Sequence, residues 1–81
     1  MPPDPPRGRY RVEIAPRGSA YYQGGETRVL LVDTRWADER ERYGTTADEI
    51  AHAIAADYCD SGTVRVVNID DPADRATVGR R

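Results

Sequence analysis

From Arg9 the chain alternates. Tyr10, Val12 and Ile14 are apolar while Arg9, Arg11 and Glu13 are charged, the period-two pattern of a strand with one buried and one wet face. Pro16-Arg17-Gly18-Ser19 reads as a turn. Ala20–Gln23, ahead of Gly24-Gly25, reads as a loop arm carrying Tyr21 and Tyr22, with a short strand as the alternative. A second strand runs from about Thr27 to Asp33, and its centre, Val29-Leu30-Leu31-Val32, is apolar at every position. Trp36–Tyr43 fits two turns of polar helix with Gly44 as the stop.

The main helix follows. Thr46 and Glu49 have capping-box spacing, and Ala47, Ile50, Ala51, Ile54, Ala55 and Tyr58 recur at helical intervals up to a C-terminal stop at Gly62. Asp48, Glu49, His52, Asp57 and Asp60 fall mainly on the opposite side and make it acidic. Thr63–Ile69 is a third strand, with Val64-Arg65-Val66-Val67 at its centre. The order is ββαβ, an α+β class. The expected architecture is a mixed sheet of three to four strands with one main helix on one face, the first strand antiparallel to the second and a strand–helix–strand crossover making a parallel pair.

The domain should span residues 9–70, between a flexible Pro-rich tail (1–8) and a polar, frayed C-terminal tail (71–81). A single helix covers one face of a sheet. Strands that are apolar on both faces therefore call for a second copy, a different partner or a further segment on the other side.

Composition sharpens that need. The 81 residues are 38% hydrophobic and 32% charged, with one cysteine and no phenylalanine. A core of this size supplies roughly 3–5 kcal/mol of net stability, and neither a disulfide nor a zinc cluster is available to add to it. Association is the remaining staple. All 12 basic residues are arginine, the bias expected of a GC-rich, bacterial genome. The net charge of -2 divides into about +2 through Trp36 and -4 beyond it, a cationic first half and an acidic second. No apolar run has the length of a membrane span and the Pro-rich start lacks a signal-peptide core, so the expected location is the cytoplasm.

Candidate chemistry is sparse. Asp33 and Asp70 would end the two parallel strands near Thr34, Asn68 and Asp71, where oxygen ligands could hold a hard cation, although acids also end strands because they favour turns. Leu30–Thr34 is similar to the acidic strand ends of phosphotransfer and nuclease folds over five residues only, and the chain is too short for those folds. Pro6-Arg7-Gly8-Arg9 resembles the core of AT-hook peptides, which implies arginines entering a narrow minor groove. The span from Thr46 to Arg65 exceeds helix-turn-helix spacing. His52 lacks a nearby serine or cysteine to activate, and Cys59 reads as a small apolar group.

The expectation is a non-catalytic protein–protein interaction module: an adaptor, inhibitor or accessory subunit that forms a homodimer or docks on a protein. Its partner-binding residues would be Tyr21, Tyr22, Trp36, Arg9, Arg11 and Arg28. Catalytic residues, metal ligands, cofactors and membrane contacts are not expected. The alternative is a nucleic-acid-binding or transcription-regulatory protein using Arg7, Arg9, Arg11, Arg17 and Arg28.

Overall fold

Tyr10, Val12 and Ile14 are almost completely buried, and the strand that carries them, β1 (Arg9–Pro16), sits inside the sheet with a neighbour on each side. The computed structural model describes residues 7–16, 27–57 and 61–79. Its other strands are β2 (Arg28–Asp33), β3 (Ser61–Asn68) and β4 (Arg75–Gly79), in the spatial order β2-β1-β3-β4. Two helices, α1 (Ala37–Tyr43) and α2 (Ala47–Asp57), separate β2 from β3 in the chain, making a small α+β fold. None of the described helices is long and apolar enough to cross a membrane.

Every neighbouring pair of strands is antiparallel. The parallel pair expected from the crossover is therefore not a direct one: β2 and β3 point the same way, but β1 lies between them. The reason is burial. Tyr10, Val12 and Ile14 form an unbroken apolar row, which needs cover on both flanks and so takes the inner position. Residues 75–79, read from the sequence as part of a frayed tail, form β4; Ala76 and Val78 oppose Val66 and Val64 and pack against the core. Gly62, expected to stop the helix, lies instead within β3.

Gly8, expected to close a flexible tail, is held in place instead. Gly8 donates its N–H to Thr34 Oγ1 at 2.9 Å, and its carbonyl accepts from the Thr34 N–H at 2.9 Å and from the Thr34 hydroxyl at 3.0 Å. A side chain at Gly8 would begin 2.7 Å from Asp70 Oδ2 and 3.1 Å from Asn68 Oδ1, so a larger residue there would displace the Asp70 carboxylate.

α2 forms as its sequence dictates. Thr46 Oγ1 accepts the Glu49 N–H at 3.2 Å and donates to Glu49 Oε1 at 3.1 Å, capping the first turn. Ala47, Ile50, Ala51 and Ile54 then meet Tyr10, Val12, Ile14, Val32, Val64 and Val66 in the single core cluster. Gly44 makes the corner between the helices at φ 107°, where a Cβ would lie 2.6 Å from the Cβ of Glu49.

One polar contact ties the layers together. The buried Tyr10 hydroxyl reaches the Thr45 carbonyl at 3.0 Å and the carboxylate of Asp74, whose other oxygen accepts the Ala47 N–H at 3.3 Å. Burial, reinforced by the Asp74 carboxylate, pushes the Tyr10 phenol well above its ordinary value. Asp74 thus joins the central strand, the start of α2 and the approach to β4.

Candidate functional site

Strand alternation sends Tyr10, Val12 and Ile14 toward the helices, and so sends Arg9, Arg11, Glu13 and Ala15 to the opposite face. The registers complete that face in rows. Leu31, Arg11, Val67 and Arg75 lie side by side across the four strands; Val29, Glu13, Arg65 and Thr77 form the next row. Asp33, Arg9 and Ile69 make a third row at one end. The face is open, with Leu31 70% exposed, Val29 49% and Ile69 44%.

Its charge is one-sided. Arg9, Arg11, Arg65 and Arg75 stand against Glu13 and Asp33. Arg11 pairs with Glu13 at 3.4 Å, while among the described residues Arg65 and Arg75 have no ion-pair partner. Apolar and cationic side chains alternate along the Leu31-Arg11-Val67-Arg75 row, a surface able to bury hydrocarbon while offering guanidinium hydrogen bonds to anionic groups.

Asp33 and Asp70 are both taken up by arginine. Arg35 grips Asp33 through two nitrogens at 2.7 and 2.9 Å, and Asp70 accepts from the Arg9 side chain at 3.1 Å and the Arg9 N–H at 2.9 Å. Hydrogen bonds from Arg35 hold the Asp33 carboxyl down to about 2, and those from Arg9 lower Asp70. These shifts set a pH dependence. Both carboxyls bind a proton less readily when folded, so their stabilising effect is complete above the unfolded aspartate value of about 4 and is lost as pH falls toward 2. The melting temperature should accordingly drop between about pH 4 and pH 2. Asp33→Asn should reduce that drop; an unchanged pH profile in this variant would count against the assignment.

The remaining expected residues scatter. Trp36 leads into α1 at the end of β2, 68% exposed. Arg28 opposes Ile14 and so projects on the helix side of the sheet, apart from Arg9 and Arg11. Arg7 is exposed beside the buried Gly8; the AT-hook-like stretch is built into the sheet through Gly8 and Arg9 instead of forming a free arm. Tyr21, Tyr22, Arg17 and Cys59 lie outside the described residues. His52 is exposed on α2, 3.5 Å from Asp48. No group of three or more His, Cys, Asp or Glu among the described residues could hold a metal ion.

Sequence reasoning missed Arg65, Val67, Ile69 and Arg75 as members of the face. The alternation of Val64-Arg65-Val66 carried the signal for Arg65; Arg75 became placeable only once β4 was recognised. Compared with known proteins, the chain matches no family model, no curated protein and no solved structure.

Proposed function

We propose that the protein is a non-catalytic interaction module whose open sheet face docks a protein presenting carboxylates around an apolar contact. The carrying observation is the face itself: Val29, Leu31, Val67 and Ile69 interleaved with Arg9, Arg11, Arg65 and Arg75. The interleaved apolar side chains account for affinity and the arginines for the sign of the partner. Two such faces brought together would place like charges opposite each other, so a heterologous acidic partner fits better than a symmetric sandwich.

The four guanidiniums also favour a second reading, binding to nucleic acid. The described face carries no aromatic ring on which a base could stack, which supports the protein partner over a single strand. Titration of isotope-labelled full chain with a glutamate–leucine peptide, and separately with an oligonucleotide, distinguishes the two. The expected result is peptide-induced amide shifts centred on Arg11, Leu31, Arg65 and Val67 that vanish in an Arg11→Glu, Arg65→Glu variant. Shifts with the oligonucleotide alone would transfer the face to nucleic acid, and silence with both probes would remove the proposal.

A further inference from the structure

We infer that β2 is a self-pairing edge, and that two copies of this chain join antiparallel along Arg28–Asp33 into one continuous sheet. This edge borders the open face and shares the Val29 and Leu31 side chains with it, but its backbone pairing does not depend on what docks there. β2 stands at the sheet's border. Thr34 bonds Gly8 across the β1–β2 ladder, which fixes its phase: even-numbered positions of β2 turn their backbone groups toward β1, and the N–H and C=O groups of Val29 and Leu31 point away from the sheet.

Natural edges are guarded by a proline, a bulge, an inward charge or brevity. β2 has none of these at its centre: the register from Arg9–Asp33 to Ile14–Arg28 is unshifted and the four middle residues are Val29-Leu30-Leu31-Val32. The opposite edge differs, since β4 is shorter and its outward positions are Arg75, Thr77 and Gly79.

Symmetry then selects the register. A two-fold axis normal to the sheet keeps both helical layers on one side and brings together residues of the same parity. With the axis at Leu30, Val29 meets the partner's Leu31 and Leu31 meets the partner's Val29. Both pairs use the outward backbone groups, and the exposed apolar side chains cover each other. A register centred on Leu31 would set Val29 against the partner's Asp33, whose carbonyl already accepts the Trp36 N–H. Charge agrees with the antiparallel sense, because the Arg28 end of one strand approaches the Asp33 end of the other; a parallel pair would stack Arg28 on Arg28.

Sedimentation equilibrium of the full chain, combined with amide hydrogen exchange, provides the test. The expected result is a species of twice the single-chain 9.0 kDa that dissociates on dilution, with the Val29 and Leu31 amides protected only in the associated form. Leu31→Pro removes an outward donor without touching the β1 ladder and should give a folded monomer. If that variant fails to fold, Leu31→Lys serves the same purpose. Arg65→Glu should leave the association intact, which separates failure of the edge from failure of the docking face. A wild-type monomer at every concentration, or a dimer whose Val29 and Leu31 amides exchange freely, overturns the inference.

Discussion

Ile50→Ala is expected to leave most of the protein unfolded near physiological temperature. Ile50 is completely buried at the centre of the α2 face that meets Tyr10, Val12 and Val66. Truncating a buried isoleucine costs about 2–5 kcal/mol, the loss of hydrocarbon transfer plus the cavity that the surroundings do not fill. A domain this small holds roughly 3–5 kcal/mol in total. The neighbouring helical core positions are Ala47, Ala51 and Ile54, and the two alanines are too short to move into the space. Chemical denaturation followed by circular dichroism measures the effect; a loss below about 1 kcal/mol would show that α2 is not the principal cover of the sheet.

Asp74→Ala should have the next largest effect, a loss on the order of 3 kcal/mol and a melting temperature lower by about 15 °C. The carboxylate accepts from the Tyr10 hydroxyl and from the Ala47 N–H at the start of α2, where negative charge is additionally favoured. Removing it leaves a buried phenol with the Thr45 carbonyl and an uncapped helical N–H. Tyr10→Phe tests the coupling: in a double-mutant cycle the two losses should fall short of additive by about 1 kcal/mol or more, whereas strict additivity would mean that the groups act independently.

These two residues also mark what could and could not be read in advance. Ile50 declares itself through spacing, because Ala47, Ile50, Ala51 and Ile54 repeat at helical intervals behind a Thr46–Glu49 cap. Asp74 does not. It follows Asp71-Pro72-Ala73 in a stretch with ordinary turn composition, and only the closing of the chain brings it to Tyr10. β4 escaped for a related reason: Arg75-Ala76-Thr77-Val78 alternates, but a five-residue strand with alanine as one of its inward residues gives little periodic signal.

The open face was legible as an imbalance, since strands apolar on both sides present two faces and the one amphipathic helix covers a single face. Its composition was not. It depends on registers that place Arg65 beside Glu13 and Arg75 beside Val67, and registers follow from long-range packing rather than from any local pattern.

The Asp74 contact has a consequence for synthesis. It spans 64 positions to reach Tyr10, and β1, one of the two inner strands, acquires its second neighbour only when β3 arrives. During translation the first strand and the β2 hairpin are made early but have no completed core to join. The apolar row of Tyr10, Val12 and Ile14 therefore stays uncovered until α2, β3 and β4 have followed. Slowing translation between β2 and β4 should lengthen the interval in which the chain needs a chaperone.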